Sequence, residues 1–359
     1  MRAGPVSHPG WPSTNGSGVV GAGRRPHGPS GTESGSWIAV PLARDRDCVG
    51  GGTGAWYLCR TMRLAMSGSS GLIGNALRGA FSKRGWSVTR VTRRVGGGRD
   101  EVRWDPDRGE IDASGLEGHD AVIHLAGESL FGIWTPGKKR RIVESRLGGT
   151  DLLCRSLASL EDRPGVLLSG SAVGYYGNRD PANPVAEDAG PGGGFLAELC
   201  VRWEAATKPA EEAGIRVVHL RTANVLTPEG GVLGVLLPIV RLGLAATFGP
   251  GTQMFPWITL EDYVHAVIHI LETPSLRGAV NLASPGAVTN AQFTRSLARV
   301  ANRWVLLTIP SWALRLAPGG MADEMLLPGA RVEPRRLLET GFEFGGGELQ
   351  PALEAMLAR

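Results

Sequence analysis

The chain has 359 residues, 42% of them hydrophobic, with a mean hydropathy of −0.04 and a formal net charge of +4. That length admits one large α/β domain with an appendage or two smaller domains, and its apolar runs, such as Gly231–Val240, are broken by Gly and Pro too soon to span a bilayer. Residues 1–61, with six basic and three acidic side chains, supply +3 of the charge; no basic helix or basic–aromatic patch follows, so neither nucleic acid nor a membrane is expected as a partner.

Residues 1–61 carry Gly, Pro or Ser at 25 positions and show no helical or strand period. Such a stretch buries too little apolar surface to offset the entropy of ordering. It reads as a disordered extension or a mis-called start ahead of Met62, with a transit peptide as the alternative. Strand and helix patterns then alternate over residues 62–300. Strands are predicted at Arg63–Ser67, Ser87–Thr92, Ala121–Leu125, Gly165–Ser169 and Val217–Arg221. Helices are predicted at Leu72–Arg84, Arg140–Leu160 and Phe195–Ala213. Beyond Pro238 the pattern loosens, leaving a helix at Glu261–Leu271 and a strand at Ala279–Leu282. Residues 304–357 read as a small helical C-terminal domain. The alternation predicts an α/β fold, a Rossmann-type doubly wound parallel sheet with right-handed crossovers and a smaller C-terminal substrate lobe.

The first strand runs into Ser67-Gly68-Ser69-Ser70-Gly71-Leu72-Ile73-Gly74. In this GxxGxxG spacing Gly68 permits a tight turn, Gly71 a close approach to a pyrophosphate, and Gly74 the packing of helix on strand. The free N–H groups and dipole of the helix then face the phosphates. The second strand ends in Thr92-Arg93-Arg94, where an NAD enzyme carries an acid for the ribose 2′-hydroxyl. Two cations there suit a 2′-phosphate, so NADP(H) is the expected cofactor.

Other signals are plainer. Cys154 and Cys200 sit in apolar helical patterns and none of the four cysteines has metal or CxxC spacing, which points to a reducing compartment, with the cytoplasm expected. Lys138-Lys139-Arg140-Arg141 reads either as a solvated helix start or as a phosphate contact. His124, inside an apolar strand, reads as a core histidine. His265 and His269 have helical metal spacing but no third ligand, so no metal is expected. Asp262 reads as a helix-capping residue. Phe248, Phe255 and Trp257 fit either a substrate pocket or the core.

With the glycine turn, the sequences HLAGE at 124–128, ESR at 144–146, SAVGYYG at 171–177, WE at 203–204 and FPWI at 255–258 resemble the extended and atypical short-chain dehydrogenase/reductase superfamily. The resemblance is strongest to its NAD-dependent epimerase-like branch, whose own C-terminal domain resembles the run Pro334–Phe342. It implies that Leu125, Ala126 and Gly127 pass the cofactor ribose, that Arg146 meets the nucleotide, and that Val225 lies beneath the nicotinamide. It also implies a Tyr and, four residues on, a Lys for proton transfer, with a Ser or Thr nearby. Those two positions fall on Phe195 and Leu199, and no other YxxxK exists in the chain. The remaining candidates for catalysis are Ser171, Tyr176 and Glu128. The expected function is an NADP(H)-dependent oxidoreductase or epimerase acting on a small, sugar-like substrate. The alternative is a catalytically silent NADP(H)-binding module for redox sensing or protein interaction. Relatives of this kind pair through two helices, which leaves a homodimer open.

Overall fold

Eight strands form one sheet in the computed structural model, which describes residues 61–358 apart from 95, 97, 99 and 317. The expectations for residues 1–60, Cys48 and Cys59 included, lie outside the described residues. The strands in chain order are β1 (Arg63–Ser67), β2 (Ser87–Thr92), β3 (Glu101–Asp105), β4 (Glu110–Ile111), β5 (Ala121–His124), β6 (Val166–Ala172), β7 (Arg216–Thr222) and an edge strand at Gly278–Leu282. Across the sheet the order is Gly278–Leu282, β7, β6, β5, β1, β2, β3, β4. Every neighbouring pair is parallel except β3 with β4. The order reverses between β1 and β5, and in such sheets the crevice at the carboxyl ends of those two strands is the ligand site.

The helices are α1 (Leu72–Lys83), α2 (Pro136–Ser159), α3 (Phe195–Ala205), α4 (Lys208–Glu212), α5 (Gly231–Arg241), α6 (Leu260–Glu272) and α7 (Asn290–Val300); α1 and α6 cover one face of the sheet, α2 and α4 the other. The two-residue strand period sorts the side chains between them. Leu64, Met66 and Ile123 share a core with Phe81 of α1 and Val267 of α6. Ala65 and Val122 share the opposite core with Leu153 and Leu157 of α2. Continuously apolar strands such as β5, buried at all four residues, require this double cover.

Several boundaries differ from the sequence reading. α2 begins at Pro136, not Arg140, because Thr135 caps it by accepting from the Lys138 N–H at 3.2 Å; a polar first turn carries no apolar period. The helix expected over Phe195–Ala213 is two helices. Pro209 has no N–H to bond back into α3, so a new helix starts at Lys208. β3 was not expected, although Val102 and Trp104 are buried in alternation. Beyond the sheet, α5, α7 and the C-terminal helix Leu349–Leu357 enclose a further core around Trp257 and Phe293. Strand Leu307–Ile309 pairs in parallel with Ala246–Phe248 and ties the C-terminal segment to this lobe. Asp262 is not the cap of α6. Thr259 accepts from the Asp262 N–H at 2.9 Å, and the Asp262 carboxylate instead accepts from the N–H groups of Gly345 and Gly346.

Candidate functional site

β1 delivers the chain into the turn at Gly68, whose φ of +70° suits glycine. A Cβ there would stand 2.8 Å from the Leu125 carbonyl carbon, so the segments leaving β1 and β5 pass backbone against backbone. A Cβ at Gly74 would strike the Gly68 carbonyl oxygen and come within 2.8 Å of the Ser69 Cα. Gly71 differs from both: it is the N-cap residue of α1, and its nearest neighbour to an added Cβ is the Gly68 oxygen at 3.4 Å. Ser69, Ser70, Gly71, Leu72 and Ile73 form the entrance of α1, which no side chain caps; the Gly71 N–H donates back to the Gly68 carbonyl at 3.1 Å, so the first-turn amides after it are the ones open to a ligand.

The other expected cofactor residues surround this entrance. Arg93 and Arg94 follow β2 and are exposed. Arg93 lies 3.8 Å from the equally exposed Asp107, and Arg94 has no carboxylate partner among the described residues. The Thr92 hydroxyl oxygen accepts from the Arg94 N–H at 3.3 Å and shapes that turn. The Ala126 N–H donates to the Ser67 hydroxyl at 3.3 Å, and that hydroxyl also lies 2.6 Å from His124 Nδ1. Arg146 reaches from α2 to cover Gly127. It donates to the Glu128 carbonyl at 3.0 Å and lies over the Trp203 ring at 5.0 Å. Val225 follows β7, pairs with Ile258 and packs on the core.

The three candidate catalytic side chains have other partners. Tyr176 is fully buried. Its hydroxyl donates to Asn281 Oδ1 at 2.8 Å and accepts from Arg221 Nη1 at 3.0 Å. Arg221 in turn makes a two-pronged pair with Glu204, at 2.8 and 2.9 Å, and stacks on the Tyr175 ring. Ser171 donates to the same Glu204 at 2.7 Å. β6, β7, α3 and the edge strand thus converge on a closed polar network, and burial pushes the Tyr176 phenol further from ionisation. Glu128 is held by Lys138 at 2.8 Å and Arg141 at 3.5 Å; the Lys138 hydrogen bond pulls its pKa down and keeps it ionised. None of the three lines the cavity described next. Each of these candidates for catalysis is thus held by partners within the chain.

The cavity, of about 360 Å³, opens between the carboxyl ends of the sheet and the C-terminal segment. Phe195 and Leu199 are the residues that the resemblance puts at the expected Tyr and Lys positions. Leu199 is buried, and Phe195 packs edge-on to Trp134 at 5.5 Å. The ionisable lining residues are Arg146, Cys200, Asp323 and Glu324, and burial pushes the Cys200 thiol up to about 11. Most of the remaining polarity is amide: Asn178, Asn224, Gln253 and Asn290. Gln253 Nε2 donates to the Phe248 and Leu326 carbonyls at 2.9 and 3.0 Å, which leaves its buried Oε1 without a partner. The Glu324 carboxylate accepts from the N–H groups of Phe195 and Leu196 at 2.9 and 3.0 Å. Sequence reasoning passed over Glu324 and the amides because each is an isolated polar residue. Phe248 and Phe255 line the cavity, whereas Trp257 is core.

The basic cluster is engaged by neighbouring side chains. Lys138 and Arg141 hold Glu128, Lys139 lies over the Phe195 ring at 5.3 Å, and Arg140 lies 3.7 Å from Glu144. His269 Nε2 is 2.9 Å from the Thr340 hydroxyl. Among the described residues no group of three His, Cys, Asp or Glu is placed to hold a metal ion, and no helix is long and apolar enough to cross a membrane. Cys154 and Cys200 are buried free thiols.

Comparison with known proteins places this geometry. Residues 64–283 match the model of the NAD dependent epimerase/dehydratase family, and residues 309–356 match a domain of unknown function, DUF1731. An epimerase family protein of Mycobacterium tuberculosis is 42% identical over 291 residues, covering 81% of this chain and 96% of its own. The crystal structure of human epimerase family protein SDR39U1 with NADPH superposes with a TM-score of 0.76 at 32% identity, covering 83% of this chain and 100% of that one. A nucleoside-diphosphate sugar epimerase of Corynebacterium glutamicum superposes with a TM-score of 0.69 at 30% identity, over 83% of this chain and 59% of that one. The expected superfamily and the Rossmann-type fold therefore hold, and the chain belongs to the NAD-dependent epimerase/dehydratase family, with a DUF1731 segment following its Rossmann sheet.

Proposed function

We propose that this chain binds NADP(H) across the carboxyl ends of β1, β2 and β5 and acts as an oxidoreductase or epimerase on a small, sugar-like substrate in the adjoining cavity. The observation that carries this reading is the pairing of an uncapped α1 entrance with Arg93 and Arg94 at the end of β2. The amides suit a pyrophosphate and the two guanidiniums suit a 2′-phosphate. The NADPH in the human relative's structure supports it. When bound, NADP(H) supplies the hydride donor or acceptor. Gly68, Gly71 and Gly74 admit it, Arg146 flanks the segment at Gly127, and the amides of Asn178, Asn224, Gln253 and Asn290 orient a hydroxylated, uncharged substrate. Proton handling falls to Glu324, which lines the cavity and keeps acceptor capacity beyond its two amide bonds.

Fluorescence titration with NADPH and NADH tests the cofactor half. NADPH should bind at least tenfold tighter, and Arg93→Ala/Arg94→Ala should erase the difference. Equal affinities in the unaltered chain would remove the NADP(H) reading. A second reading, a catalytically silent NADP(H) binder, is favoured by the apolar residues at Phe195 and Leu199. NADPH oxidation measured with a panel of aldoses and small ketones separates the two. Turnover that Glu324→Gln abolishes while NADPH binding persists supports the enzyme, and no turnover with any of them supports the silent binder.

A further inference from the structure

Two neighbouring segments of the substrate lobe are built unlike the rest of the described surface. Among the described residues, nine of the thirteen large apolar side chains that stand exposed come from two segments, 235–244 and 304–316. On α5, Val235, Ile239 and Leu242 follow the i, i+4, i+7 spacing of one helix face and stand 53%, 41% and 78% exposed. The second segment adds Trp304 and Leu306, 82% and 76% exposed, and then Trp312 and Leu316. The two segments are physically joined. Arg303 Nε donates to the Arg241 carbonyl at 2.9 Å, and Leu307 pairs with Ala246. Apolar exposure gathered in this way marks an interaction surface.

Charge says what kind of partner fits. Residues 230–260 and 273–322 contain no Asp or Glu but six Arg. Arg241, Arg299 and Arg303 stand at the joined ends of α5 and α7, exposed and without a carboxylate partner among the described residues. A two-fold contact with a second copy would set these arginines against themselves. The apolar side chains protrude, and the depression beside Ile239 and Leu244 holds only about 30 Å³, too little for an anchoring side chain of a protein partner. Protruding Trp and Leu beside unpaired Arg match an interface of headgroups and acyl chains.

We propose that this face docks the protein on an anionic lipid surface, Trp304, Leu306, Trp312 and Leu242 entering the interface and Arg241, Arg299 and Arg303 meeting the headgroups. The expectation of no membrane partner rested on the absence of a spanning segment and of a basic–aromatic run; the surface arises only when two distant segments meet.

The test is cosedimentation of the full chain with vesicles of phosphatidylcholine alone or with a third of phosphatidylglycerol. Binding should require the anionic lipid and weaken at least tenfold between 50 and 500 mM salt. Trp304→Ser/Leu306→Ser/Trp312→Ser and, separately, Arg241→Gln/Arg299→Gln should each reduce it at least tenfold while NADPH affinity and melting temperature hold. Failure to bind anionic vesicles at low salt, or binding that neither variant lowers, would overturn the proposal. So would a dimer, seen by sedimentation velocity, that the serine variant converts to monomer, since a second copy would then be the occupant.

Discussion

Glu324 and Phe195 lie 129 residues apart in the chain, and the carboxylate of the first accepts the N–H of the second at 2.9 Å. α3 opens at Gly194, which has no side chain to cap it, so the C-terminal segment supplies the cap from across the cavity. Glu324→Ala should therefore destabilise the protein by about 1–2 kcal/mol, the range for a lost helix cap. Glu324→Gln, which keeps one acceptor oxygen, should lose roughly half as much. Thermal melts of the three proteins check the order, and limited proteolysis should cut first within residues 318–330 of the alanine variant. Identical melting of all three would show that the clasp adds nothing to stability.

The glycines of the turn should separate folding from binding. At Gly74 an added methyl meets backbone it cannot displace, so Gly74→Ala should cost about 1–3 kcal/mol, the usual range for overpacking. At Gly71 the same methyl makes ordinary contact, and the helix loses at most about 1 kcal/mol from a poorer cap. That methyl would nonetheless stand where a pyrophosphate must approach. Gly71→Ala should then melt near the unaltered protein yet bind NADPH at least tenfold more weakly. Urea unfolding and NADPH titration of both variants make the comparison.

How much of this was legible in the sequence follows from how far apart the contributing residues lie. The turn at Gly68–Gly74 and the arginines at 93 and 94 fall within one strand–helix–strand unit, so their spacing states their geometry. The central strands announce themselves as apolar runs. The cavity does not, because Asn178, Asn224, Gln253, Asn290 and Glu324 meet only through the tertiary fold. The partners of Tyr176 and Ser171 were hidden for the same reason. SAVGYYG is compatible with a substrate-facing hydroxyl until Arg221 from β7, Glu204 from α3 and Asn281 from the edge strand arrive to claim both. α7 escaped notice although a capping box, Thr289 with Gln292, marks its start; its buried face is a stripe, Phe293, Thr294, Leu297 and Ala298, on an otherwise polar helix.

The Arg221–Glu204 pair gives the network a measurable stake. Both side chains are largely buried, so removing one partner leaves a charge without compensation, at about 3–5 kcal/mol. Arg221→Met and Glu204→Gln should each fall in that range, and the double variant should lose less than their sum. For Glu204, burial acts to raise the pKa, but the Arg221 hydrogen bonds and charge outweigh it and leave the carboxyl below its ordinary value. A depressed carboxyl contributes stability that is present above its unfolded pKa and lost as pH falls through the folded one. Acid unfolding below about pH 4.3, the ordinary Glu value, should therefore be less steep in Glu204→Gln. Tyr176→Phe, which leaves an Arg221 N–H unpaired, should cost about 1–3 kcal/mol and leave NADPH affinity unchanged, as fits a packing role.

His124 sets a second pH dependence with a different window. It is fully buried beneath the Trp104 ring, with Nδ1 on the Ser67 hydroxyl and Nε2 unpartnered, and burial drives its pKa from 6.5 down to about 4. Between those values the unfolded chain takes up a proton that the folded chain refuses. Its stabilising effect is complete above about pH 6.5 and declines as pH falls towards 4, by something on the order of 3 kcal/mol across the window. His119, His219 and His269 are also shifted down and add to the same slope, so the informative quantity is a difference. His124→Leu should be less stable than the unaltered chain at pH 7, because Ser67 loses a partner, and that deficit should shrink or reverse by pH 4.5. Urea unfolding of both proteins at four pH values between 7 and 4.5 measures it. Curves that stay parallel would show that His124 takes up its proton equally in the folded and unfolded chains.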